Sequence, residues 1–427
     1  MKKCILSVMI AALMIGVAGC GENASASGNT EVLAQEINPV AEEQLRNEIG
    51  QSMEDYDVEL MQEGYLDYSM RLFAGSVEEE SNSMISPVSV MIALDMAAAG
   101  ANGETQSQIT DLFCEGASQE QVEHFCRDLL DRYEESQDVE LHLANSIWIR
   151  DGFGDQINED YLVRMDTIFD AEAVMAPFDQ TTVDAINQWC DDNTDGMIDH
   201  LLDEIEPDME LILLNATALD APWAEPYEDH QVTEETFTNA NGDTEDVEML
   251  NGMERVYFET EDAIGFMKYY EGYEYAFLAI LPEESMTVDQ YVQSLTGEKY
   301  LEFWNSRTEE YEVQTKMPEF TYEYELVMND VLNDMGMIQA FDEKNADFTG
   351  ITGEPDLYIN TVLHKTFIEV GQYRTQAAAV TAVLLQGKGA EIPLDRKQVY
   401  LDRPFVYAIV EVDTGMPLFI GTLKSAQ

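Results

Sequence analysis

The sequence predicts an α+β fold organised as one large domain, and three observations carry that expectation. Segments with apolar residues at helical spacing come early, while alternating segments and hairpin turns come late, so the order is not the strand–helix alternation of a parallel sheet. The 427 residues are 45% hydrophobic, enough for a large core. Beyond residue 50 no Pro-, Gly- or Ser-rich linker interrupts the chain.

The first residues read MKKCILSVMIAALMIGVAGCGEN. Lys2 and Lys3 precede a mostly apolar run from Ile5 to Val17, shorter than the roughly 20 apolar residues a membrane crossing needs, so residues 1–19 are a secretory signal. Val17-Ala18-Gly19-Cys20 resembles a bacterial lipobox, which implies cleavage before Cys20 and lipid on its thiol. The alternative is an ordinary secreted protein with a chance cysteine. The expected location is extracellular, anchored to the outer face of a bacterial membrane. Residues 20–50 begin with Gly, Asn, Ser, Ala and Glu and read as a flexible tether to a domain spanning 51–427.

Within the domain, Asp57 to Ser76 reads as a first helix. Ser86-Pro87 opens a second, Val88 to Gly100, with proline in its first turn and glycine at its end. Gln119 to Tyr133 is a third helix, Val139 to Arg150 alternates as a strand, and Val183 to Asp191 is helical. Glu210 to Leu219 is an apolar run bounded by turns, the pattern of a central strand. Phe237 to Leu281 holds short strands with Asn-Gly and Glu-Gly turns. Glu325 to Met335 reads as helix and Leu357 to Val370 as extended chain; Phe405 to Leu423 is a closing hairpin turning at Asp413-Thr414-Gly415.

The formal net charge is −64, from 85 acidic and 21 basic residues. Nucleic-acid binding, which needs basic clusters on phosphates, is excluded, and docking on anionic lipid is disfavoured, so a membrane link would be covalent. The charge can steer basic partners at low salt, but its plain reading is solubility. Cys4 leaves with the signal and Cys20 is the lipidation candidate. That leaves Cys114, Cys126 and Cys190, an odd number that forms no disulfide framework; one bridge stays open, and buried free thiols are the expectation.

Catalytic and metal motifs are missing. None of the five histidines is spaced with another as a metal pair, and there is no CxxC, GxSxG or glycine-rich phosphate loop. Asp191 to Gly196 copies the start of a calcium loop, but position twelve is Leu202 where a bidentate glutamate is needed. Neither an enzyme nor a cofactor is expected. Thr375 to Gly387 carries no charge and no proline. It fits a strand buried on both faces or a short buried helix, and its alanines alone favour the helix.

A series of ordered motifs decides how that run is read. Asn82 to Ile109 is NSMISPVSVMIALDMAAAGANGETQSQI, Ala144 to Trp148 is ANSIW, and Ile186 to Ile198 is INQWCDDNTDGMI. Leu213 to Trp223 is LLNATALDAPW, Met317 to Phe320 is MPEF, and Ala346 to Gly350 is ADFTG. His364-Lys365, Ile368-Glu369-Val370, DRPF at Asp402 to Phe405 and TGMPLFIGT at Thr414 to Thr422 follow. Together they resemble the serpin family over Asp57 to Lys424. The resemblance implies a large central β-sheet with further sheets, about nine helices and an exposed reactive-centre loop. It also implies a monomeric suicide-substrate inhibitor of serine proteases, whose cleaved loop inserts into the central sheet as a new strand.

The resemblance assigns the hinge to Arg374, Thr375, Gln376, Ala377, Ala378, Ala379, Val380 and Thr381, and by family spacing the scissile bond to Lys388-Gly389. Gln386 and Gly387 are neighbouring candidates. A lysine before the cut implies a trypsin-like target. At period two, Thr375, Ala377, Ala379, Thr381 and Val383 share one small, uncharged face suited to a packed sheet. Ser86, Ser89, Asn215 and His364 match a polar cluster beneath the opening sheet, and Trp223 matches a tryptophan at its top; His364 is thus a core histidine rather than a catalyst. The chain departs from the family at Ala221-Pro222, at Gln376 and at Arg374, where glycine is usual. An arginine there is expected to slow insertion, with its head in solvent. Two alternatives follow: a non-inhibitory serpin acting as a binding protein, and a solute-binding lipoprotein.

Overall fold

A computed structural model describes residues 31–32, 45, 56–135, 139–152, 157–207, 209–355, 357–375 and 395–426. In chain order the elements begin with β1 (Glu31–Val32), α1 (Val58–Ser76), β2 (Ser83–Ile85), α2 (Pro87–Ala99), α3 (Gly103–Phe113), α4 (Gln119–Glu135), β3 (Glu140–Arg150), α5 (Glu159–Phe169), β4 (Glu172–Ala176), α6 (Gln180–Asn193) and β5 (Leu211–Pro222). Then follow β6 (Val232–Thr238), β7 (Thr244–Glu254), β8 (Val256–Glu259), β9 (Ala263–Tyr269), β10 (Tyr275–Pro282), α7 (Val288–Ser294), α8 (Gly297–Asn305), β11 (Tyr311–Pro318) and β12 (Phe320–Val327). The last are α9 (Asn329–Asp334), α10 (Thr349–Thr352), β13 (Thr361–Val370), β14 (Arg374–Thr375), β15 (Asp395–Tyr400), β16 (Phe405–Glu411) and β17 (Pro417–Leu423). The class is mixed α+β, as expected.

The strands form a seven-stranded sheet ordered β1-β4-β3-β5-β14-β13-β12, a six-stranded sheet β2-β17-β16-β10-β9-β8 and a four-stranded sheet β15-β11-β7-β6. The large sheet is covered on both faces, which explains the unbroken apolar run of β5. Leu211 and Leu213 join the helical core with α2 and α5. Ile212, Leu214 and Ala216 point the other way and pack with Trp148, Ile186 and Trp189, the last two on α6. A third core, with Phe277, Tyr407 and Met317, joins the two smaller sheets to the large one through Leu219, Ala221 and Ile368.

Helix α2 runs through the middle, with every residue from Pro87 to Ala98 buried. Its start is set by Pro87 in the first turn and by Ser86, whose Oγ accepts the Ser89 N–H. The same helix carries Asp95, fully buried, bonded by Gln119 at 2.7 Å and close to Glu123. Burial, with the Glu123 charge adding to it, pushes the Asp95 carboxyl well above its usual range. The β16–β17 turn needs Gly415: its φ is +76°, and a Cβ would meet the Trp304 ring at 2.6 Å.

Three expectations change. Glu325 to Val327 are the end of β12 rather than helix, and α9 covers only Asn329 to Asp334. Asn251-Gly252 lies inside β7, whereas Asn241-Gly242 and Glu271-Gly272 do sit between strands. The stretch 20–50 is not tether throughout, since Glu31–Val32 pair with β4 at the sheet edge and Leu45 is buried in the helical core. At the start of the alanine-rich run Arg374–Thr375 are strand, in line with the hinge reading; residues 376–394 lie outside the described residues. The calcium-like segment closes α6 instead: Thr194 Oγ1 donates to the Cys190 carbonyl at 2.8 Å and accepts the Ile198 N–H at 3.1 Å. Cys114, Cys126 and Cys190 are free and buried, as expected.

Candidate functional site: a parted sheet

Strands β5 and β13 pair in parallel from Ile212/Thr361 to Thr217/Thr366. Beyond that row they part, and β14 enters the gap antiparallel to both. Arg374 sits opposite Pro222, while Thr375 sits opposite Ala221 on one side and Val370 on the other. Thr375 is fully buried, and its Oγ1 lies 2.8 Å from the Tyr270 hydroxyl. Tyr270 stacks on Trp223 with centroids 4.6 Å apart and planes at 7°. Trp223 Nε1 donates to the Gly371 carbonyl at 2.9 Å, and its backbone N–H donates to the Tyr373 carbonyl at 3.1 Å. The Tyr227 N–H donates to the Gln372 carbonyl at 3.0 Å. The chain entering the gap is therefore fixed residue by residue.

Just below the parting lies a row of polar side chains. Asn145, Asn215 and His364 are direct neighbours across β3, β5 and β13. The Ser86 N–H donates to His364 Nε2 at 3.0 Å, so that nitrogen is the acceptor and Nδ1 carries the hydrogen. Nδ1 then donates to Asn215 Oδ1 at 2.6 Å. Asn215 Nδ2 donates to Asn145 Oδ1 at 2.7 Å and to Ser89 Oγ, which leaves the Ser89 hydroxyl to donate to Thr217 Oγ1. Thr217 closes the ring on Asn215 Oδ1 at 3.3 Å. Burial pushes the His364 imidazole down to about 3, so it is neutral at ordinary pH. Both ring nitrogens and both serines are committed to holding strands and α2 together, and no base is left to activate a hydroxyl.

The structure thus brings together Ser86, Ser89, Asn215 and His364 in one cluster, and Trp223, Arg374 and Thr375 in the gap above it. A family model described as Serpin (serine protease inhibitor) matches residues 63–425. The chain belongs to the serpin family. Its fold is similar to the native-state crystal structure of Tengpin, a thermophilic serpin, with 38% identity, TM-score 0.80, and 86% of this chain and 95% of that one covered. The likeness to the latent state of Tengpin is lower, at TM-score 0.75. A serpin-like protein of Thermococcus kodakarensis is 30% identical over 84% of each chain. Human neuroserpin is 27% identical, covering 80% of this chain and 86% of its own. Membership sets aside the solute-binding lipoprotein.

Of the site residues expected in this serpin, Cys20, Gln376, Ala377, Ala378, Ala379, Val380, Thr381, Lys388 and Gly389 lie outside the described residues. One expectation is corrected. The head of Arg374 is not left in solvent: its Nη1 lies 2.6 Å from both carboxylate oxygens of Asp220, with only 14% of the side chain exposed. Sequence reasoning also missed Asn145 and Thr217, and the Lys268 ammonium. Lys268 sits 4.3 Å from the Tyr227 ring centre and 5.4 Å from that of Trp223, and bonds the Glu225 carbonyl at 2.9 Å. Glu319, at the foot of the Gly371–Thr375 segment, is pushed up to about 7, first by burial and then by Glu248 beside it, against a backbone bond from Gln372.

Proposed function

We propose that this serpin inhibits serine proteases as a suicide substrate. The observation that carries the reading is the parted end of β5 and β13 with β14 seated between them in antiparallel register. That is the start of a ladder which the uncharged run after Thr375 can extend at period two. The protease serine attacks the Lys388 carbonyl, the Gly389 amine leaves, and the acyl-enzyme is carried along as the loop enters the sheet. The intact form is a kinetic trap, since the cleaved loop adds a paired strand.

The reading is tested by mixing the mature chain with a trypsin-like protease. An SDS-resistant complex is expected, with a large rise in melting temperature after the loop is cut. Unchanged melting and a fully active protease would sink it. Lys388→Leu should slow inhibition of the trypsin-like enzyme about a hundredfold or more, because an S1 carboxylate loses its partner. Mass spectrometry of the cut loop places the bond. The second reading, a non-inhibitory binding protein, draws on Arg374, where the family has glycine; in it the protease cuts the loop and departs.

Cys20 is the attachment point of a lipid that holds the inhibitor outside the cell. Cys20→Ser expressed in the source cell should release the protein into the medium and abolish incorporation of labelled fatty acid. Retention of both label and membrane fraction would contradict the anchor.

A further inference from the structure

Arg374 is a charged residue in the strand that enters the gap, and its geometry gives it a purpose. We infer that Arg374 is a positioning residue: through Asp220 it pins β14 in a single register between β5 and β13. The consequence for inhibition rests on the suicide-substrate reading, whereas the pin itself is a property of the uncleaved chain.

Alternation supplies the argument. Arg374 and Thr375 are consecutive in an extended strand, so they point to opposite faces of the sheet. On β5, Leu219 and Ala221 are buried in the core that holds Trp223, while Asp220 and Pro222 are only partly covered. Thr375 lies opposite Ala221 and shares its buried face. Arg374 lies opposite Pro222 and reaches diagonally to Asp220, the other partly covered position. A diagonal of two residues across an antiparallel pair is within the span of an arginine.

A slip by one residue exchanges the faces. It would turn the guanidinium into the Trp223–Tyr270 stack, where a lone charge is strongly disfavoured, and would strip Asp220 of its partner. A glycine at 374 imposes neither penalty and leaves the register to the small residues that follow. The pair is also screened less than a surface bridge, because the two side chains are only 14% and 23% exposed. The arginine therefore favours correct entry of the strand, which reverses the expectation that it slows insertion.

The test uses the uncleaved mature chain and a charge swap. Hydrogen exchange of the 371–375 amides reads the pin, and the partition between trapped protease and cut, released inhibitor reads its consequence. Arg374→Glu and Asp220→Arg should each speed exchange about tenfold or more, the scale of a lost charge-assisted bond. The double variant should return exchange close to wild type. Arg374→Ala serves as the milder probe if either reversal destabilises the fold. In a trapping-competent protein, both single variants should shift the partition toward cut inhibitor and the double variant should shift it back. Wild-type exchange in Arg374→Glu and Arg374→Ala, or no recovery in the double variant, overturns the pin. A wild-type chain that traps no protease overturns the inhibitory reading instead, and leaves the exchange result standing.

Discussion

If this serpin traps proteases as proposed, Thr375→Arg should leave it folded and nearly eliminate the trapping. The side chain of Thr375 is fully buried between Ala221 and Val370, with its hydroxyl on Tyr270. Among the described residues no carboxylate is bonded to that position, whereas Asp220 serves the opposite face. An unpaired charge there costs several kcal/mol, so the strand stays out of the gap. A penalty of about 3 kcal/mol already slows entry more than a hundredfold, and deacylation then outruns it. The melting temperature of the intact chain should move little, since β14 contributes only two residues to the sheet. After cleavage, however, the large rise expected of wild type should be lost. Thr375→Val is the contrasting variant: it fills the same space, loses one hydroxyl bond worth about 1 kcal/mol, and should keep inhibiting. Titrating protease against each variant gives the number of inhibitors consumed per enzyme trapped. An arginine variant that traps at the wild-type ratio would remove Thr375 from the hinge.

What was legible in the sequence was local pattern and ordered motif. Helix α2 could be drawn from Ser86, Pro87 and Gly100, because caps and first-turn proline act within a few residues. The helix drawn from Glu325 failed because the deciding contacts are remote. Glu323 and Glu325 flank Lys365 of the neighbouring strand at 3.1 and 3.9 Å, and this cross-strand pairing holds β12 extended up to Val327. The cluster was half legible for the same reason. Asn145 and Thr217 stand inside the quoted motifs ANSIW and LLNATALDAPW, yet only sheet register shows that they complete the ring around Asn215. Arg374 was legible as an anomaly but not as a pair, since Asp220 lies 154 residues away along the chain.

Acid should weaken the closed sheet through His364 more than through any exposed group. The imidazole titrates near 3 in the folded chain against an ordinary 6.5, because burial disfavours its charged form. Protonation therefore favours the unfolded chain. The stability contributed by the neutral ring is complete above about pH 6.5 and is lost as the pH falls from there toward 3. Over the full window the loss is on the order of 5 kcal/mol, a large part of the stability of an ordinary domain. Glu319, pushed up to about 7, works in the opposite direction, losing stability as pH rises from its ordinary 4.5 toward 7. The two are separated by substitution. His364→Phe leaves the Ser86 N–H unpartnered and Asn215 Oδ1 with only the long bond from Thr217, so at pH 7 it should cost roughly 2–4 kcal/mol. Its own decline below pH 6.5 should be shallower, and the gap to wild type should narrow steadily by pH 4. Urea midpoints measured across that range on the uncleaved chain decide the matter. If wild type and His364→Phe lose stability in parallel between pH 7 and pH 4, the ring is not the group that holds the strands against acid.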